Sequence, residues 1–173
     1  MLKNRKGVTL TELLIVVITV ITLAIISFKM YAHQVEKSIA VDGTQLLRKI
    51  VDAEISYYTE NKEWCLSFES LPLRIENGEY LSSDKSEIRN NNFVFFLSSK
   101  VESGIDYLSV NAIRHYDDTT VSAGAKRHYC INFVMPNNFD PTNKKYGMKA
   151  VTATGYTSKD KAVVNYLNRR FSK

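Results

Sequence analysis

The longest apolar run of the chain lies near its amino terminus, from Val8 to Phe28. A helix of this length rises about 31 Å at ~1.5 Å per residue, close to the ~30 Å core of a lipid bilayer. Basic residues precede the run without any acid: Lys3, Arg5 and Lys6. Because positive charge is retained on the cytoplasmic side, the pattern predicts one membrane-spanning helix with its amino terminus in the cytoplasm.

After Phe28 the pattern becomes amphipathic, and residues 29–60 are predicted to continue the same helix, from about Thr9 to about Thr59. The expected buried face follows steps of three, four or seven residues: Tyr31, Val35, Ile39, Leu46, Ile50, Ala53 and Tyr57. Charged residues are expected mostly on the opposite face: Lys29, Glu36, Lys37, Asp42, Arg48, Lys49 and Glu54. The first half of such a helix needs lipid or other helices around it, and the second half needs a sheet.

The rest of the chain predicts a small sheet and a short helix. Residues 61–92 are expected to form an irregular connecting loop and residues 93–156 an antiparallel sheet. Apolar and polar residues alternate in two of its predicted strands, 107–116 and 128–135, and the others are 93–98 and 149–154. The spacing of Thr157 and Asp160 is that of a capping box and predicts a helix within residues 157–173. The predicted fold class is α+β, with a long amino-terminal helix, membrane-embedded in its first half, packed on a small antiparallel sheet.

The formal net charge of +5 is concentrated at the two ends of the chain. Without the three leader cations, 23 − 3 = 20 basic residues face 18 acidic ones. Most of the remaining excess lies in the last residues: Lys159, Lys161, Arg169, Arg170 and Lys173. Contact with nucleic acid is one interpretation of this tail, but a solvated helix end whose cations complement the helix dipole is favoured.

The two cysteines, Cys65 and Cys130, both follow the predicted membrane span. Outside the cytoplasm two cysteines are able to form a disulfide, which we expect in preference to two buried thiols. The bond would connect the loop after the long helix to the sheet and contribute on the order of 4 kcal/mol.

No motif of an active site occurs in the sequence: it has no G-x-S-x-G elbow, glycine-rich phosphate loop or H-E-x-x-H. The histidines His33, His115 and His128 lack the further ligands that a metal site needs. We therefore expect a protein that is not an enzyme and has no cofactor, metal or small-molecule substrate.

One carboxylate, Glu12, lies within the apolar run. A charged side chain in a bilayer costs about 2.5–3.5 kcal/mol on insertion scales, less near the interface, and usually has a partner. A secretory signal peptide is one alternative, but residues 26–30 supply no small-residue cleavage site. A plain membrane anchor is the stronger alternative, although an anchor alone gains nothing from Glu12.

The stretch from Lys6 to Leu14, KGVTLTELL, resembles the class III signal of type IV prepilins and type II secretion pseudopilins. The resemblance implies that a prepilin peptidase removes residues 1–7 by cutting between Gly7 and Val8, and that Val8 is then N-methylated. It also implies that Glu12, unpaired in the isolated subunit, pairs with the terminal amine of a neighbouring subunit during assembly. Burying either charge alone is expensive, whereas a pair offsets part of that cost.

Two features depart from the pattern of this family. Val8 stands where most members have Phe, and no proline precedes Pro72, although members often have one late in the apolar segment. The expected function is a structural subunit of a type IV pilus or related filament, made with like or different pilins by an assembly platform in the inner membrane. The alternatives are a type II secretion pseudopilin, which forms a periplasmic pseudopilus, and a membrane-anchored domain that binds something outside the cell.

Overall fold

The structure is a computed structural model that describes residues 9–114, 129–137, 147–152 and 158–171. Its first element is helix α1, Leu10–Asn61, which confirms the predicted long amino-terminal helix. The chain divides into two compact units, Met1–Lys37 and Ser38–Lys173, and α1 contributes to both. Within the described residues only the second unit, called the head below, contains strands.

The head contains six strands and a second helix. They are β1 Glu79–Tyr80, β2 Glu87–Arg89, β3 Phe93–Glu102, β4 Ile105–Arg114, β5 Tyr129–Pro136, β6 Gly147–Thr152 and α2 Ser158–Phe171. The strands form one antiparallel sheet in chain order, each paired with the next. Ser103 and Gly104, with φ of 55° and 77°, make the two-residue turn between β3 and β4, which suits the twist of a hairpin.

The core of the head joins one face of the sheet to the second half of α1. A cross-strand row on this face is at most 1% exposed: Phe95, Ala112, Ile131 and Ala150. Leu47 and Ile50 of α1 and Leu167 of α2 are fully buried in the same cluster. Gly43 permits a close approach of α1, because a Cβ added there would lie 2.5 Å from ring atoms of Phe93.

The buried face of α1 is rotated from the face that the sequence predicts. Its buried residues are Glu36, Ala40, Gly43, Thr44, Leu47, Ile50, Val51 and Glu54. Tyr31 is instead 69% exposed, and Glu36 and Glu54, expected on the polar face, are 2% and 0% exposed. The prediction was right at Ile50, and other predicted residues pack partly buried against the core: Ile39, Leu46, Ala53 and Tyr57. It was wrong at Tyr31, Glu36 and Glu54, because the buried face also includes small and polar residues.

Each edge of the sheet is shortened or covered over part of its length. At one edge β1 is only two residues long. At the other edge the backbone N–H of Ala150 in β6 donates to Oδ1 of Asn168 in α2 at 3.1 Å. Because open edges are templates for pairing with another chain, these two features limit edge-to-edge association of heads.

The four predicted strands and the terminal helix are confirmed, with ends shifted by a few residues. The prediction of an irregular loop over residues 61–92 is wrong in part, because β1 and β2 lie within it. Ile88 is buried and pairs with Phe95, but strands of two or three residues are too short to show an alternating pattern. Thr157 of the predicted capping box lies outside the described residues.

Candidate membrane and assembly segment

Helix α1 begins with a capping box formed by Thr9 and Glu12. The backbone N–H and the hydroxyl group of Thr9 both donate to Oε2 of Glu12, each at 2.8 Å. In return the backbone N–H of Glu12 donates to Oγ1 of Thr9 at 3.3 Å. The first backbone bond of the helix runs from the N–H of Leu13 to the carbonyl of Thr9 at 3.2 Å. Thr9 is therefore the N-cap, and the box satisfies N–H groups that the helix itself leaves open.

The capping box corrects the expected state of Glu12. The acid is not unpaired in the isolated chain, since it accepts two hydrogen bonds from Thr9. It also lies in the first turn of the helix, where the dipole favours a negative charge. The Thr-x-x-Glu spacing was visible in the sequence as a capping signature. Gly7 and Val8, the predicted cleavage site and methylated residue, lie outside the described residues.

The apolar part of α1 is exposed on every side. All residues from Leu10 to Phe28 are exposed, and the large apolar side chains range from 47% exposed at Val17 to 81% at Leu10. The most apolar stretch of α1 has a mean hydropathy of 2.6, and none of it is buried. This one helix is long and apolar enough to cross a membrane.

Polar side chains of the same segment all have partners within the helix. The hydroxyl groups of Thr19, Thr22 and Ser27 donate to backbone carbonyls three or four residues earlier, at 2.8, 2.9 and 2.8 Å. The hydroxyl groups of Thr11 and Thr9 lie 3.1 Å apart, within hydrogen-bond distance. Because a bilayer core offers no water to polar groups, internal partners lower the cost of placing these residues in lipid.

A second acid of α1, Glu54, is fully buried at the other end of the helix. Its Oε2 accepts a hydrogen bond of 3.1 Å from the backbone N–H of Cys65, eleven residues along the chain. Its Oε1 is buried and has no hydrogen-bond partner, and the same is true of Nε1 of Trp64. Burial raises the pKa of Glu54 to about 7, and the bond from Cys65 opposes this shift.

The predicted disulfide is wrong: Cys65 and Cys130 are thiols with no bond between them. Cys65 is 5% exposed, belongs to the core cluster and donates from Sγ to the carbonyl of Ser67 at 3.1 Å. Cys130 pairs with Ile113 of β4. It lies in β5 between Tyr129 and Ile131, whose side chains are buried on the core face. Since successive side chains of a strand point to opposite faces, the sheet separates the two thiols.

Cys130 lies on the outer face of the sheet beside a cluster of amide and hydroxyl groups. Its Sγ is 4.0 Å from Oδ1 of Asn111. Nδ2 of Asn132 donates to that same oxygen and to Oγ of Ser109. The alternation of Cys130 and Asn132 with apolar residues was visible in the sequence and was sufficient to place this thiol away from the core.

The remaining candidate residues form no chemical centre in the described part of the chain. No group of three or more His, Cys, Asp or Glu residues there is arranged to hold a metal ion. His33 is half-buried in α1, whereas His115 and His128 lie outside the described residues. Arg169 and Arg170 occupy the last turn of α2, where cations complement the helix dipole, and Arg170 also donates to the hydroxyl of Tyr166 at 3.3 Å.

Comparison of the chain with protein-family models, curated proteins and solved structures finds no match. The interpretation of this segment therefore depends on the chemistry of its own residues.

Proposed function

We propose that this chain is a type IV pilin-like subunit that the cytoplasmic membrane holds through residues 8–28 until a filament outside the cytoplasm incorporates it. Removal of residues 1–7 after Gly7 and methylation of Val8 precede assembly in this proposal. One observation carries it: an apolar helix exposed on all sides bears a carboxylate, Glu12, in its first turn.

The exposed apolar surface is the first support. Transfer of apolar surface from water is favourable by roughly 25 cal/mol per Å², so a helix exposed on all sides is unstable in water. Lipid tails or the apolar faces of neighbouring helices remove this cost, and the internal bonds of Thr19, Thr22 and Ser27 suit both surroundings. A segment that passes from lipid into a bundle of like helices needs such compatibility with both.

The geometry of Glu12 is the second support. Both bonds from Thr9 reach Oε2, so Oε1 is open to a further donor. A carboxylate has about four lone-pair sites on its two oxygens, and a cap therefore leaves room for an ion pair. The terminal amine that cleavage creates at Val8 of a neighbouring subunit is positively charged and therefore able to pair with Glu12. Capping in the monomer and pairing in the filament are thus compatible roles.

A plain membrane anchor is the second candidate, and the capping box is the observation that favours it. If Glu12 only caps α1, its presence in the apolar run needs no partner subunit. A type II secretion pseudopilin shares every step of the leading proposal and differs in the machinery that the filament serves.

Two substitutions at Glu12 separate charge pairing from capping. Glutamine retains the acceptor oxygen of a capping box and removes the charge, whereas alanine removes both. We expect Glu12→Gln and Glu12→Ala to insert into the membrane but to lose incorporation into sheared filaments, at least about tenfold for one lost charge pair. Thr19→Val, in the middle of the same segment, is the matched control and is expected to assemble normally.

The anchor candidate predicts the opposite result for Glu12→Gln, which would then behave as the unsubstituted protein. Amino-terminal analysis of membrane-extracted protein is a separate check. The proposal expects the chain to begin at N-methylated Val8, and a chain that retains residues 1–7 and stays monomeric in lipid would exclude the proposal.

A further inference from the structure

A buried carboxyl group lies at the contact between the end of α1 and the segment that follows it. Glu54 is 0% exposed, and its Oε2 accepts the hydrogen bond from the backbone N–H of Cys65. The neighbouring Trp64 stacks on Tyr58 of α1, with ring centroids 4.3 Å apart. Residues 62–66 therefore contact the last turns of α1 through this hydrogen bond, the ring stack, and a bond of 2.9 Å from the backbone N–H of Lys62 to the carbonyl of Tyr58.

Two buried polar atoms at this contact lack a hydrogen-bond partner. Oε1 of Glu54 and Nε1 of Trp64 are both buried without hydrogen-bond partners. A buried neutral carboxyl group tolerates one missing partner at a cost of about 1–3 kcal/mol, but a buried carboxylate without a counter-charge costs far more. The contact is thus sensitive to whether Glu54 carries a proton.

The groups that face Glu54 do not supply a counter-charge. Tyr57 lies on α1 itself and Cys65 on the segment after it, and both interact with Glu54 as neutral groups. Glu63 interacts with Tyr57 and Cys65 and is acidic. The influences on Glu54 are its burial and the N–H of Cys65, and within the described residues no cation is among them. Burial likewise raises the pKa of the Cys65 thiol, to which Glu54 and Glu63 add in the same direction.

We propose that Glu54 is a proton-dependent latch that holds residues 62–66 against the end of α1 while its carboxyl group is neutral. Loss of the proton places a negative charge in the core of the head. The charge is relieved when Trp64 and Cys65 move away and water reaches the carboxylate. The latch concerns the head alone and stands whether or not the chain assembles into filaments.

The direction in which the stability of the closed form changes with pH follows from the direction in which the pKa of Glu54 is shifted. The pKa of Glu54 rises from 4.5 in the unfolded chain to about 7 in the folded head. The closed form therefore binds more protons than the open form between these values, and its stability is fully present below pH 4.5. The stability falls as the pH rises from 4.5 through about 7, and it changes little above that value. A difference of this size changes the closed-to-open ratio by on the order of a hundredfold.

The single tryptophan of the chain makes the latch measurable in the full-length protein in detergent. Acrylamide quenching of Trp64 fluorescence reports access of the quencher to its ring. Hydrogen exchange of the Cys65 amide, corrected for the intrinsic effect of pH, reports the bond to Glu54 itself. Between pH 5 and pH 8 we expect quenching of Trp64 to rise. We expect protection of the Cys65 amide to fall by on the order of a hundredfold, with a midpoint between pH 4.5 and about 7.

Glu54→Gln is expected to abolish this midpoint, and Glu60→Gln, at an exposed acid on the same helix, is the control that should retain it. Glu54→Met, of similar length and without polar atoms, provides a second neutral variant in case the glutamine variant does not fold. A flat profile in the unsubstituted protein overturns the latch, and so does an unchanged midpoint in either Glu54 variant. If neither variant folds, the profile of the unsubstituted protein decides alone.

Discussion

The two halves of α1 differ in the burial of their apolar side chains and in the hydrogen bonding of their polar ones. From Leu10 to Phe28 the apolar side chains are exposed, whereas the polar ones have partners within the helix. In the head most apolar side chains of α1 are buried or half-buried, whereas Oε1 of Glu54 has no partner. Burial and hydrogen-bond satisfaction are therefore separate requirements. The first half is complete only when lipid or other helices surround it, and the second half contains a site that responds to protons.

Matched truncations of one phenylalanine in each region test this comparison most strongly. Phe95 is 0% exposed in the core of the head, and Phe28 is 77% exposed at the end of the apolar segment. We expect Phe95→Ala to lower the free energy of unfolding of the head by about 3–5 kcal/mol, because it removes buried surface and leaves a cavity. Phe28→Ala should leave it unchanged. Chemical denaturation in detergent, followed by Trp64 fluorescence, measures both, and equal losses would contradict the division into two regions.

A charge in the middle of the apolar segment should affect insertion and leave the head intact. Ile18 is 53% exposed and lies near the centre of the predicted span. Arginine at the centre of a membrane helix costs about 2.5–3.5 kcal/mol on insertion scales, so Ile18→Arg should reduce the fraction of chain in the membrane. Ile18→Ala is the control, and carbonate extraction of membranes measures the fraction. An unchanged membrane fraction for the arginine variant would contradict a span centred near Ile18.

The apolar segment and the long strands could be predicted because each repeats a simple pattern over many residues. A mostly apolar run from Val8 to Phe28 and the alternation around Tyr129 and Ile131 are each compatible with few other structures. The short strand β2 could not be predicted, because three residues contain no period and Ile88 is buried only through its pairing with Phe95. Such strands depend on contacts that are distant in sequence.

The errors within the candidate sites have a different origin. The spacing of Ala40, Leu47 and Glu54, seven residues each, places all three on one face of α1, but the acid was assigned to solvent by its residue type. Cys65 and Cys130 were paired by compartment, although strand alternation already placed Cys130 on the outer face. In both cases the periodicity of the helix or strand was more informative than the usual environment of a glutamate or a cysteine.

A smaller effect is expected at Gly43, where α1 contacts the sheet. A methyl group there would meet Phe93, which is 1% exposed and packed near Phe95 and Tyr129. Alanine favours a helix over glycine by about 1 kcal/mol, but overpacking a core costs about 1–3 kcal/mol. We expect Gly43→Ala to destabilise the head by about 1 kcal/mol net in thermal unfolding. A variant more stable than the unsubstituted protein would show that the ring of Phe93 moves at low cost.

The smallest expected effect is at Thr9, and it separates the cap from the charge. Thr9→Ala removes the hydroxyl that both donates to Oε2 of Glu12 and accepts from its N–H, while the acid remains. Loss of an N-cap side chain costs about 1 kcal/mol, so faster hydrogen exchange is expected over residues 10–13 in detergent, with no change in unfolding of the head. Filament incorporation should persist, because the charge of Glu12 remains available to a neighbouring amine. If Thr9→Ala instead loses incorporation and Glu12→Gln, which retains the capping oxygen, does not, the cap, and not the charge, is what assembly requires.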